Sequence, residues 1–127
     1  AFLLALPIGW NREQHDDIMG IRTFPLVALG ACAYVLVARE FLGDDSPEAT
    51  ARILQGLMTG IGFIGGGAIL KNSDHVSGTA SAASIWMVGA IGAAAALGFW
   101  GHAIVLALAN IGVLLLLGRF KKKVRDD

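Results

Sequence analysis

The sequence predicts an all-α protein, a polytopic integral membrane helical bundle of about five transmembrane helices with the first one truncated. Hydrophobic residues make up 55% of the 127 residues and charged residues only 16%, and the mean hydropathy is +0.64. Apolar stretches alternate with short polar segments, and one stretch is very rich in glycine, which costs backbone entropy in a water-soluble helix. We expect a single domain over residues 1–127.

Five apolar stretches define the predicted helices. A helix that crosses a bilayer needs roughly 20 apolar residues. The first stretch is shorter than this and begins on an apolar residue other than methionine, so we expect that further residues precede it. The predicted segments are 1–10, 25–41, 47–70, 79–100 and a last one that ends near residue 118.

The polar segments predict where helices begin and where the chain turns. Ser46 suits an N-cap, Pro47 suits the first helical position, and Glu48 lies at the positive end of the helix dipole. We expect residues 71–78 to form a polar connection and Gly101–His102 to form a tight turn.

The third helix carries most of the glycines. In lipid, small residues allow helix backbones to approach closely. The sequence therefore predicts either a central, tightly packed helix, or a helix that is broken at residues 65–67 to line a polar site. The candidate packing residues are Gly56, Gly60, Gly62, Gly65, Gly66 and Gly67.

The basic residues predict the orientation. With five spans, eight Lys and Arg residues fall on the side of the first loop, the third loop and the C-terminal tail, and two fall on the other side. By the positive-inside rule the C-terminus is then cytoplasmic.

Composition and motifs argue against several classes. The formal net charge is zero, so we expect no nucleic-acid partner. Cys32 is the only cysteine, and we interpret it as a small core residue. The sequence contains no nucleophile–base arrangement and no phosphate-binding loop with a lysine, so we expect neither an enzyme nor a cofactor.

Polar residues of the first and third loops are the first candidate site. Arg12 and Arg22 flank apolar segments, and we expect them to form a polar cluster or partner surface with Glu13 and Asp74, because both loops lie on the same predicted side. Simple headgroup anchoring of the two arginines is the alternative. Weak candidates for a divalent cation are Glu13, His15, Asp16 and Asp17.

Polar residues inside the predicted spans are the second candidate site. Hydrogen bonding between helices is the ordinary role of such side chains. If they faced one another, they would instead line a polar cavity. These residues are Thr59, Ser81, Ser84 and Asn110.

Three blocks of the sequence resemble the MgtC/SapB family membrane domain. Residues 6–13 together with 20–23 resemble the stretch that opens the family's domain. Residues 60–70 resemble its glycine-rich signature, and residues 76–92 resemble a later block that contains a tryptophan. The resemblance implies a multi-pass protein of the bacterial inner membrane that is linked to magnesium limitation, acid stress or survival in a host. It also suggests the short form, without the C-terminal soluble domain of some members.

Two function classes remain. The first is a non-enzymatic regulator in the lipid bilayer that binds another inner-membrane protein or itself, as a homo-oligomer. It is favoured because no ionisable residue falls in the middle of spans two to five, whereas pumps usually need one. The second is a small channel or transporter for an ion or polar solute, in which a broken glycine helix would expose carbonyl ligands.

Overall fold

The computed structural model describes residues 1–15, 19–43, 46–72 and 75–126, without the side chains of Asn72, His75 and residues 119–126. These residues form five helices and one short antiparallel hairpin. The elements are α1 (Phe2–Glu13), α2 (Thr23–Leu42), α3 (Pro47–Gly67), β1 (Leu70–Asn72), β2 (His75–Ser77), α4 (Thr79–Ala96) and α5 (Trp100–Asp126).

The predicted all-α membrane class is confirmed. Three helical segments are long and apolar enough to cross a membrane, namely Thr23–Leu42, Thr79–Ala96 and Trp100–Gly118. Helix α3 has 21 residues and thus the length of a crossing, but Glu48 and Arg52 lower its hydropathy. Helix α1 has 12 residues and contains Pro7, so it is shorter than one crossing.

Helix α4 is the centre of the bundle. It packs against α1, α2, α3 and α5, and it has the largest buried share of the three apolar segments, at 56%. By contrast, the buried residues of α3 are Ile61 and Gly65. The prediction of a central glycine helix is therefore wrong: the alanine-rich helix is central, because its small side chains let four neighbours pack around it.

Close backbone approach occurs at two glycines of α4. A Cβ atom added to Gly92 would meet the carbonyl oxygen of Ala28, and it would lie 2.9 Å from the Cβ of Ala31. A Cβ atom added to Gly89 would meet the Cδ1 of Ile61. Helices α2 and α3 thus contact α4 at positions where only glycine fits without rearrangement.

The start of α3 follows the sequence prediction, but its end does not. The Ala49 N–H donates to the Oγ of Ser46 at 3.2 Å, and Pro47 is the first helical residue. The helix then continues without interruption to Gly67. The proposed break at residues 65–67 is therefore wrong, because the backbone of these glycines remains helical.

Two connections differ from the predictions. Strands β1 and β2 pair in antiparallel fashion, with Leu70 opposite Ser77, where a polar connection was expected. The chain leaves β2 at Gly78, where φ is 79° and an added Cβ would collide with the carbonyl oxygen of Ala68, and both facts favour glycine. The turn before α5 lies at Gly98, with φ of 78°, and not at Gly101–His102, which are already helical.

Candidate functional site

The last turn of α1 carries two buried polar side chains. Asn11 is 7% exposed and Arg12 is 8% exposed, on a helix whose other buried residues are Ala5, Ile8 and Gly9. Burying a guanidinium is costly unless the surrounding fold satisfies it. This turn is therefore the most unusual polar location in the described part of the chain.

Glu13 joins this turn to the approach to α2. Its Oε2 accepts a hydrogen bond from the backbone N–H of Ile21 at 2.9 Å. A Cβ atom added to Gly20 would collide with the Glu13 carboxylate, and one added to Gly9 would lie 3.1 Å from the Cα of Ile21. The two glycines therefore allow the loop backbone to lie directly on α1.

We call this arrangement the α1–α2 junction, and we define it by Asn11, Arg12, Glu13, Gly20, Ile21 and Arg22. His15 contacts this junction, since the Nδ1 atom of its ring lies 2.8 Å from the carbonyl oxygen of Asn11. The Gly20 carbonyl accepts from the N–H groups of Thr23 and Phe24, at 3.0 and 3.2 Å. These two contacts are local to the end of α1 and to the start of α2, and the bond from the Ile21 amide to Glu13 joins the two sides.

The structure brings part of the predicted polar cluster together. Arg12 and Glu13 are neighbours in the last turn of α1, and Arg22 is the exposed N-cap residue of α2. Asp74 lies outside the described residues. The complete four-residue cluster therefore stays a prediction.

The weak metal candidates are only partly described. Asp16 and Asp17 lie outside the described residues, while Glu13 and His15 make the contacts given above. Within the ranges that the structure covers, no three His, Cys, Asp or Glu side chains come together in a group that could hold a metal ion.

The predicted polar cavity is not assembled. Ser84 donates to the Oδ1 of Asn110 at 3.0 Å, and the Nδ2 of Asn110 lies 3.5 Å from the carbonyl oxygen of Ser84. Both residues and Ser81 are buried. Thr59 is exposed and donates to the carbonyl of Gln55 in its own helix. Ser84 and Asn110 thus join α4 to α5, and Thr59 belongs to a different surface.

The glycines of α3 pack differently from the prediction. Only Gly65 approaches another backbone, with an added Cβ lying 3.3 Å from the carbonyl oxygen of Ala82, while an added Cβ at Gly62 would lie 3.7 Å from the Nε1 of Trp86. The other four have nothing within 4 Å, and they are Gly56, Gly60, Gly66 and Gly67.

A further contact was not foreseen from the sequence. The Nη1 of Arg39 lies 3.5 Å from the carbonyl oxygen of Ala96, close to the end of α4. A cation at this place stabilises the negative end of the helix dipole. The sequence places Arg39 near the end of the second apolar segment, but this position does not identify the helix that Arg39 contacts.

The fold and the junction define a class: a multi-pass helical membrane protein with a buried polar turn near one end of its bundle. The comparisons with known proteins are more specific. The MgtC family profile matches residues 1–123, and the chain belongs to the MgtC family. No solved structure matches the chain.

Relatives with names share most of the chain. Protein SrpB of Synechococcus elongatus is 35% identical over 98% of this chain and 73% of its own length. Protein MgtC of Brucella abortus is 38% identical over 92% of this chain, and Protein MgtC of Salmonella typhimurium is 35% identical over 99% of it. The chain spans about half of the length of these two MgtC proteins, at 48% and 53%.

Proposed function

We propose that this protein is a non-enzymatic regulator of the bacterial inner membrane that acts through a membrane-protein partner. Membership of the MgtC family supports a link to magnesium limitation, acid stress or survival in a host. We further propose that the C-terminus is cytoplasmic, as the excess of basic residues on that side favours, and that the protein forms a homo-oligomer.

The α1–α2 junction is the observation that carries this proposal. Arg12 is 8% exposed, and an ionisable residue buried near the edge of a membrane bundle is expensive and usually functional. Glu13 fixes the adjacent loop through the Ile21 amide. Glu13 and Arg22 are exposed next to this buried residue. A polar surface that is held in place in this way suits recognition, because little side-chain or loop entropy is lost when a partner binds.

The transport alternative loses its main support, since α3 is helical through Gly67 and its carbonyls are not released to bind an ion. The buried hydroxyl and amide of Ser84 and Asn110 bond to each other. This pairing suits helix association better than a permeation path.

A complementation assay tests the regulatory proposal. A Salmonella typhimurium strain that lacks its own MgtC would express this chain, and growth would be followed at limiting magnesium. We expect the unmodified chain to restore growth, Arg12→Met to abolish it, and Arg12→Lys to retain part of it because the charge is kept. The matched control is Lys71→Gln, which removes an exposed charge outside the junction. Equal growth of Arg12→Met and the control would contradict the proposal.

Flux measurements separate the two function classes. Liposomes that contain the purified chain would be loaded with a magnesium or proton indicator. We expect the same flux as in empty liposomes. Flux that rises with the amount of protein and falls in Asn110→Ala would overturn the regulator proposal in favour of the transporter.

A double-mutant cycle tests the proposed four-residue cluster. Arg22→Met and Asp74→Asn would be combined, and the free energy of unfolding would be measured in detergent. Coupling well above about 0.5 kcal/mol would support direct interaction of the two side chains. Simple additivity would identify Arg22 as an independent headgroup anchor.

A further inference from the structure

An open groove runs between α2 and α3 on the outside of the bundle. Its volume is about 880 Å³, many times the roughly 30 Å³ that one water molecule occupies. Its depth comes from missing side chains, because Gly30, Gly56 and Gly60 line it and an added Cβ at each would have nothing within 4 Å. Its walls are apolar and include Leu26 and Ile61.

The charge along the groove is uneven. Arg22 and the hydroxyl of Thr23 lie at one end, and Tyr34 and Arg52 lie further along. Among the described residues that line the groove, two are arginines and none carries a carboxylate. Arg22 is exposed and has the Thr23 hydroxyl next to it as a second donor. The Arg22 end therefore attracts an anion.

The groove is longer than one membrane leaflet. From Thr23 to Ala38, which both line it, helix α2 rises about 22 Å, at roughly 1.5 Å per residue. Half of a hydrocarbon core of about 30 Å is about 15 Å. An extended acyl chain whose phosphate lies at Arg22 would thus end near Tyr34.

A second copy of the chain fits this groove poorly. Closed dimers of membrane proteins pair the same surface of both subunits, so a two-fold axis along the membrane normal would place Arg22 opposite its own copy. Two guanidinium groups that come close together at the headgroup level repel each other. The charge pattern therefore calls for an anionic occupant.

We propose that the groove is a binding site for an anionic phospholipid, with the phosphate at Arg22 and Thr23 and an acyl chain along Gly30, Gly56 and Gly60. Arg22 forms the paired, charge-assisted hydrogen bonds that guanidinium and phosphate geometries allow. A net negative headgroup is preferred over a zwitterionic one because the described residues that line the groove include two arginines and no carboxylate to receive an ammonium group. This site goes beyond the regulatory role, and it engages the Arg22 side chain that the proposed cluster with Asp74 would otherwise hold.

Native mass spectrometry of the purified protein in detergent tests the site. Phosphatidylglycerol and phosphatidylethanolamine with identical acyl chains would be added at equal concentrations. We expect phosphatidylglycerol to be retained about tenfold more strongly, equivalent to ~1.4 kcal/mol. Arg22→Gln should lower its retention to the level of phosphatidylethanolamine, Arg22→Lys should keep part of the preference, and Lys71→Gln should change nothing.

Filling the groove provides a test that does not involve charge. Gly60→Leu places a side chain in the groove, and Gly66→Leu places the same side chain in open space on the same helix, outside the groove. We expect only Gly60→Leu to lower the retention of both lipids, with unchanged circular dichroism and elution volume for both variants. Equal retention of the two lipids by the unmodified protein would overturn the proposal. So would a dimer that Gly60→Leu converts to monomer, since it would assign the groove to a second copy.

Discussion

The crossing of α2 and α4 offers a quantitative test of the fold, through the substitution Gly92→Ala. The new Cβ would meet the Ala28 carbonyl oxygen and lie 3.1 Å from the Ala28 carbonyl carbon and 2.9 Å from the Ala31 Cβ. Two of these atoms belong to the backbone, so no side-chain rotation relieves the contact. Overpacking of this kind costs about 1–3 kcal/mol, and a rigid backbone neighbour favours the upper end.

Helix propensity opposes this cost. Alanine is favoured over glycine in a helix interior by about 1 kcal/mol, so Gly92→Ala should lose a net of about 2 kcal/mol. At roughly 4 °C per kcal/mol for a chain of this size, the Tm in detergent should fall by about 8 °C. Gly66→Ala is the control, because its Cβ meets nothing within 4 Å, and its Tm should rise by up to about 4 °C. Shifts of the same sign and size in both variants would refute the close-crossing argument.

Three further predictions address other parts of the molecule. Asn110→Ala removes the bond to Ser84 and should lower the free energy of unfolding by about 0.6–1.7 kcal/mol. Adding Ser84→Ala to this variant should cause no further loss, and full additivity of the two changes would argue against their pairing. Glu13→Gln should weaken the charge-assisted bond to Ile21 by about 1 kcal/mol. The Ile21 amide should then exchange its hydrogen several-fold faster, and an unchanged exchange rate would mean that other contacts hold the loop. A cysteine at Val124 should react with a membrane-impermeant maleimide only after cells are permeabilised, and labelling of intact cells would reverse the proposed orientation.

The junction and the groove have different physical origins, although both depend on glycine. At Gly20 the missing side chain leaves room for the Glu13 carboxylate, which would collide with a Cβ atom, so the absence of a side chain allows a polar contact to form. At Gly60 the missing side chain leaves a space that no described residue fills. Glycine therefore allows a polar contact to form at the junction and leaves unfilled space in the groove.

Membership of a membrane class and the ends of several elements follow from local chemistry. Apolar segments of sufficient length predict spanning helices because the bilayer core requires satisfied backbone groups over its full thickness. Ser46 and Pro47 predict the start of α3 because capping depends on neighbouring residues only. Arg12 and Glu13 could be selected from the sequence because charges beside an apolar segment are expensive.

Only the tertiary structure decided which helix is central and which glycines are in contact. The sequence favoured α3 because its glycines are concentrated there, but contact depends on the face that each residue presents to a neighbour. Gly89 and Gly92 lie in an alanine-rich helix whose apolar residues are spread around its axis with no preferred side, so periodicity gives no direction for packing. Whether Thr59 shares a surface with Asn110 likewise depends on the rotation of helices about their own axes, which is set by long-range packing. The sequence by itself thus determined the type of protein and the residues worth attention, and packing between distant segments determined which of them meet.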